Sequence, residues 1–123
     1  RRMKLYTSYF ANIRNIPNNI LPCAIIYKLP KGFNGLHYPK LGPSYSIFSE
    51  YKVTYDTNRY TQRYINEILY YLNPQEVVND LYLLGNGNDI VMLCYERPNL
   101  FCHRHIVSNW LNNNGFECFE FGF

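Results

Sequence analysis

Apolar and polar positions along the chain fall into segments with readable periods. The clearest spans residues 57–72, where Tyr60, Tyr64, Ile68 and Tyr71 recur at spacings of four, four and three, and Ile65, Leu69 and Leu72 widen the stripe. That period predicts an amphipathic helix. Asp56 or Thr57 can cap its start. Asn73-Pro74 ends it, because proline disfavours helix at the residue before it. Pro74 then suits the first turn of a second helix over 74–84, with Glu76 near its positive end and Gly85-Asn86-Gly87-Asn88 as its stop. A third helix is expected over 101–113, with Ile106, Val107, Trp110 and Leu111 as its buried stripe and Gly115 as its C-terminal stop.

Other segments lack the helical period. Ile90-Val91-Met92-Leu93-Cys94, within 89–95, is a continuous apolar run without alternation, and it predicts a central strand covered on both faces. Cys23 to Tyr27, bounded by Pro22 and Leu29-Pro30, reads as a second buried strand. Residues 4–9 have β propensity in Leu5-Tyr6-Thr7, and residues 8–15 lead out as a loop or short helix. Residues 116–123 alternate and predict the last strand. Residues 30–50 hold Pro30, Gly32, Gly35, Pro39, Gly42 and Pro43, a density of breakers that predicts one long loop. Loops of that length are functional or disordered. Phe33, His37, Tyr38, Tyr45 and Phe48 favour function. The order strand, strand, loop, helix, helix, strand, helix, strand implies an α/β sandwich with a mostly parallel sheet.

Composition adds little to the fold and something to the partner. The 123 residues fit one domain, 1–123. No run of about 18 apolar residues exists, so no membrane partner is expected. The basic start leads into Tyr6-Thr7-Ser8 rather than an apolar run, which argues against a secretory signal and for a cytoplasmic protein. Net charge is +3, and +1 once Arg1 and Arg2, which precede the first Met, are set aside as an appended pair. That is weak for a nucleic-acid binder, which would need Lys28, Lys31, Lys40, Lys52, Arg59 and Arg63 on one face. The 13 tyrosines are the outlier. With the excess of Asn and Ile they are what AT-rich codons produce; the functional alternative is a set of stacking platforms for a ring. Cys23, Cys94, Cys102 and Cys118 show no C-x-x-C spacing, and in a cytoplasm they read as reduced thiols. A Cys94–Cys102 bridge stays open.

Candidate chemistry concentrates between residues 94 and 105, where two thiols, a carboxylate, two imidazoles and two guanidiniums fall within 12 residues. Ligands of open α/β sheets sit at strand carboxyl ends beside helix N-termini. Cys94 is expected at the strand's end and Cys102 in the first turn of the helix, where the dipole and Arg104 favour thiolate. The alternative for Cys94 is a small core residue. His103 and Arg104 at a helix start are electrostatically unusual. Either Glu96 folds back onto Arg104 as a structural pair, or an anionic ligand is held there by helix amides and Arg104. Arg97 and His105 are expected in solvent.

Several named chemistries fail. No phosphatase loop exists, because Leu100 and Ser108 stand where Arg would follow Cys94 and Cys102. There is no P-loop, and Gly85-Asn86-Gly87 precedes a strand rather than a helix. The zinc-deaminase signature is absent. Cys94, Cys102 and His103 or His105 match no common zinc spacing, so neither metal nor cofactor is expected.

Leu93-Cys94-Tyr95-Glu96 followed by Cys102-His103-Arg104 and an amphipathic helix resembles the domain of unknown function 488 family, whose members carry a C-x-E…C-H-R element. Pro39-Lys40-Leu41-Gly42-Pro43 with Glu50-Tyr51-Lys52, the Tyr60-Thr61-Gln62-Arg63-Tyr64 segment and the opening Tyr6-Thr7-Ser8-Tyr9 are similar to further parts of the family pattern. Residues 10–38 depart from it, having no counterpart of the Asp-x-Arg that many members carry. The resemblance implies a Rossmann-like three-layer α/β fold and a role near nucleotide or nucleic-acid metabolism. The matching positions it implies are Cys94, Glu96, Cys102, His103 and Arg104, with Lys52, Tyr60 and Tyr64 beside them.

The resulting expectation is a small anionic ligand, a nucleotide or modified base, at the junction 94–104. Glu96, Cys102 and His103 are the candidate catalytic groups. Ser8, Lys52, Tyr60, Tyr64, Cys94 and Arg104 are the candidate ligand contacts, with a Tyr among 45, 51, 60 and 64 stacking on the ring. Successive helix residues point about 100° apart. Cys102 and His103 are therefore not expected to face one point, and His37 is the freer partner. The alternative is a non-catalytic binding module in which Cys-His-Arg is a structural clasp.

Overall fold

The computed structural model describes residues 2–96 and 100–121. Five strands, β1 (Leu5–Tyr9), β2 (Ile20–Ala24), β3 (Leu36–His37), β4 (Asp89–Cys94) and β5 (Cys118–Glu120), form one sheet in the order β3-β2-β4-β1-β5. Every pairing is parallel. Four α-helices complete it: α1 (Tyr45–Thr54), α2 (Thr57–Glu67), α3 (Pro74–Leu84) and α4 (His103–Asn113). This is a Rossmann-like α/β sandwich.

β4 is central because every residue in it is buried. Its alternate side chains serve the two faces. Ile90 and Met92 join Leu5, Cys23 and Cys118 in a core with Ile47, Tyr60, Tyr64, Val77, Leu81, Val107 and Leu111, so all four α-helices contribute to it. Val91 and Leu93 pack with Ile20, Tyr6, Phe10, Ile16 and Phe33. Phe10 begins the 3-10 segment Phe10–Asn15, so that second layer is thin.

Several elements differ from the sequence reading. The strand expected at Cys23–Tyr27 runs from Ile20 to Ala24, with Pro22 inside it. β3 reaches only Cys23 and Ala24, so no ladder bond is asked of Pro22 on that side. Ile25 and Ile26 stay buried beyond the strand. The expected long loop is a correction. It contains β3, the 3-10 turn Pro39–Leu41 and most of α1, which Ser44 caps by accepting from the Ile47 N–H. α1 buries only Ile47, so it leaves no helical stripe to read.

The helix expected over 57–72 stops as an α-helix at Glu67 and tightens into the 3-10 turn Leu69–Tyr71. Tyr60 and Tyr64 face the core, but Tyr71 is 77% exposed. The 74–84 helix appears as expected, capped by Asn73. α4 starts at His103, and its buried face is His103, Arg104, Val107 and Leu111, turned from the expected stripe so that Ile106 and Trp110 are half-buried. β5 covers Cys118–Glu120, and Gly122 and Phe123 of the expected strand lie outside the described residues. No helix among the described residues is long and apolar enough to cross a membrane.

Candidate functional site

In a parallel sheet all strand carboxyl ends share one edge. The connection after β2 leaves towards β3, while the connection after β4 leaves across β1 towards β5. The chain therefore diverges between β2 and β4, and such a switch point opens a crevice. A cavity of about 870 Å³ lies there. Ile26, Tyr27 and Lys28 after β2, Cys94, Tyr95 and Glu96 at the end of β4, and Cys102 and His103 at the start of α4 all line it.

α1 supplies the remaining wall. Tyr45, Phe48, Tyr51, Lys52 and Tyr55 line the cavity, and Tyr60 and Phe101 close its back. Tyr51 is the hub of these rings, with centroids 5.3 Å from both Tyr60 and Phe101 and 5.6 Å from Tyr55. Tyr45 and Tyr27 are largely exposed on the rim, so this aromatic surface is open to a ligand. Lys52 lies over the Phe48 ring at 5.3 Å, with its ammonium in solvent.

The floor is polar and buried. Cys102 is the N-cap of α4, with extended φ −155° and ψ 147°, rather than a residue of its first turn. This removes the expected obstacle to a Cys102–His103 pair: only one of the two is helical, and Cys102 Sγ lies 3.8 Å from His103 Nδ1. His103 Nε2 donates to the Ile25 carbonyl at 2.6 Å, which leaves the Nδ1 lone pair facing the sulfur. Burial pushes the His103 pKa down to about 4, aided by the charge of Arg104, against the opposing hydrogen bond to Ile25. The imidazole is therefore neutral at pH 7.

Cys94 and Cys102 are joined across the floor, with Cα atoms 7.2 Å apart, which corrects the expectation of four reduced thiols. Cys23 and Cys118 are free and buried. Burial raises their thiols to about 12 and about 11 respectively, so neither is a nucleophile at neutral pH.

Arg104 sits elsewhere than expected. Its side chain is fully buried, and Glu120, not Glu96, is its carboxylate partner, at 2.9 Å through Nη2 and 3.2 Å through Nε. Its Nη1 donates to the Glu96 backbone carbonyl and to Cys94 Sγ. It does not line the cavity. Ser8 is also away from the cleft: its hydroxyl donates to the Phe121 carbonyl and accepts from Asn12 Nδ2. Tyr64 is core, donating to the Leu41 carbonyl at 2.6 Å and packing against His103 at 5.6 Å. His37 donates to the Ile26 carbonyl and is outside the lining. His105 is half-buried rather than solvated, and Arg97 lies outside the described residues. Among the six surface cations, Lys40 pairs with Asp80, and Arg59 and Arg63 pair with Glu50.

The structure thus brings Glu96, Cys94, Cys102, His103, Lys52 and Tyr60 together, and leaves Ser8, Tyr64 and Arg104 outside the cavity wall. Sequence reasoning missed Tyr27, Lys28, Tyr55, Tyr95 and Phe101 as lining residues. The readable signal for the α1 wall was Pro43-Ser44, a helix start hidden among loop residues. Over residues 9–115 the chain matches the family model DUF488-N3a, described as the active DUF488-N3 subclade. The chain belongs to the DUF488 family. No curated protein and no solved structure matches it. The DUF488 match covers both halves of the cleft, from β2 through α1 to α4.

Proposed function

We propose that this DUF488 protein binds a nucleotide or a modified base in the β2–β4 cleft and acts on it at the cleft floor. The observation that carries this reading is the juxtaposition of Cys102 and neutral His103 at the bottom of a cavity walled by aromatic rings. A flat base suits such walls, since stacking on an aromatic side chain contributes about 1–3 kcal/mol per base. Lys28 and Lys52 give the wall two cations for phosphate, in the role first assigned to Arg104. Glu96 supplies a carboxylate for a ribose hydroxyl or for proton transfer. The word active in the description of the matched subclade favours a reaction over binding alone. In this reading a reducing setting opens the Cys94–Cys102 bridge and frees Cys102 beside His103.

A second reading is a non-catalytic binding module. The saturated hydrogen bonding of Arg104, to Glu120, Glu96 and Cys94, favours it, because this is how a structural clasp looks.

A thermal-shift series with nucleosides, nucleotides and sugar phosphates separates the two. At a hundred times its dissociation constant a ligand stabilises by about 2.7 kcal/mol, which is several degrees for a domain of this size. Tyr45→Ala and Lys52→Ala alter exposed side chains. They should keep the melting temperature of the free protein and lose most of the ligand-induced shift. Absence of a shift with every compound overturns the nucleotide reading and leaves the binding module.

A further inference from the structure

We propose that Cys94, Cys102 and His103 form a binding site for one soft divalent cation, zinc by preference, with its fourth coordination position open to the cleft. The inference deepens the reading of the cleft as the functional centre and rests on it. The two sulfurs and the imidazole nitrogen all lie within 4.8 Å of one another, on three buried residues. They come from the end of β4 and from the N-cap and first residue of α4.

The spacing suits a shared ion. With Zn–S of about 2.3 Å and Zn–N of about 2.0 Å, tetrahedral ligands place sulfur about 3.5 Å from nitrogen and about 3.8 Å from a second sulfur. The Cys102 Sγ to His103 Nδ1 distance is 3.8 Å. The Cα atoms of Cys94 and Cys102 are 7.2 Å apart. Disulfides usually span about 4.4–6.8 Å between Cα atoms, so this pair lies just wider than that span, and its sulfurs, bonded in this structure, part to about 3.8 Å when they share an ion.

The surroundings also fit a metal. A ligating histidine usually donates its other ring N–H to a carbonyl or carboxylate, which fixes its tautomer and aim. His103 Nε2 does this to the Ile25 carbonyl. Arg104 Nη1 donates to Cys94 Sγ at 3.1 Å, which favours the thiolate that binds metal. Buried charge must be compensated. Two thiolates neutralise a divalent cation, while Glu120 already neutralises Arg104. Among the described residues the group has three donors, not four. A three-donor set with an open position is the arrangement of catalytic rather than structural zinc. All three residues line the cavity, so the open position faces whatever the cleft holds. The Cys94–Cys102 bridge and the cation are mutually exclusive: a thiol or phosphine reductant first supplies two electrons and opens the bridge to two thiols, whose protons go to solvent as the cation binds.

The test uses the whole chain, reduced with a phosphine, stripped of metal and titrated with cobalt(II) and then zinc(II). The expected result is one cobalt per chain, with thiolate-to-cobalt charge-transfer absorption and tetrahedral d–d bands that an equivalent of zinc abolishes. Cys94→Ala and Cys102→Ala should each lose stoichiometric uptake, while Cys118→Ala and Lys52→Ala retain it. The wild type oxidised to the Cys94–Cys102 bridge is a control with no substitution and should take up none. Failure of the reduced wild type to bind cobalt, or full binding by both cysteine variants, overturns the site. A nucleotide-induced thermal shift without metal uptake overturns this inference and leaves the cleft reading standing. Metal uptake with no shift from any nucleotide does the reverse.

Discussion

The carboxyl edge of the sheet has two halves that differ in kind. On the β1–β5 side Thr7, Ser8, Asn12, Arg104 and Glu120 all have protein partners, and among the described residues only His105 Nε2, next to them, is a buried polar side-chain atom without one. Thr7 Oγ1 donates to Glu120 at 2.6 Å, Glu120 takes Arg104, and Ser8 ties Asn12 to the Phe121 carbonyl. On the β2–β4 side the sulfurs, the imidazole lone pair and several rings face a cavity. One helix serves both halves through consecutive residues: His103 reaches β2's exit at Ile25, and Arg104 reaches Glu120 on β5. The contrast teaches that a cluster of polar residues in a motif need not share one task. His103 lines the cleft, where the proposed function places the chemistry, and Arg104 clasps the helix start to Glu120.

Removing the clasp should give the largest effect. Arg104→Ala leaves Glu120 without its buried partner, and breaking a buried pair from one side costs about 3–5 kcal/mol. Urea denaturation should show that loss. A variant of unchanged stability that no longer binds nucleotide would move Arg104 into the ligand site and erase the distinction between the halves. Ser8→Ala comes next. It removes a fully buried hydroxyl from between Asn12 and the Phe121 carbonyl, which still meet each other at 3.4 Å, so the loss is that of a typical hydrogen bond, about 1 kcal/mol. Nucleotide-induced thermal shifts should keep the wild-type size in this variant; a loss of shift at full stability would place Ser8 among the ligand contacts after all.

The same division explains what could be read from the sequence. β4 was legible because burial on both faces writes a continuous apolar run. α3 was legible because Asn73-Pro74 and Gly85 punctuate it. α1 was hidden because its rings face a cleft instead of a core, so its apolar positions follow no helical period, and the breakers before it suggested a loop. The C-x-E…C-H-R element announced a site but not its division of labour. The partner of Arg104 is 16 residues downstream, and only the parallel pairing of β5 with β1 brings it near. The obstacle to a Cys102–His103 pair assumed helix geometry at Cys102, and the helix starts two residues later than expected, at His103, which removes it.

The smallest expected effect runs the opposite way and tests the open half directly. Tyr55 ends α1 in the left-handed region, at φ 52°. A residue with a Cβ pays about 1–2 kcal/mol for that conformation, and glycine does not. Tyr55 is two-thirds exposed, and its contact with Tyr51 is a surface ring pair 5.6 Å apart, which offsets only part of that cost. The extra chain freedom of a glycine in the unfolded state offsets more of it, so Tyr55→Gly should raise stability by about 0.5 kcal/mol, read as a higher urea midpoint. It should also weaken nucleotide binding by removing a ring from the cleft wall. A gain in stability with loss of binding is what a wall kept for a ligand predicts. A loss of stability would show that Tyr55 supports the fold, and the two halves of the edge would then differ less than their hydrogen bonding implies.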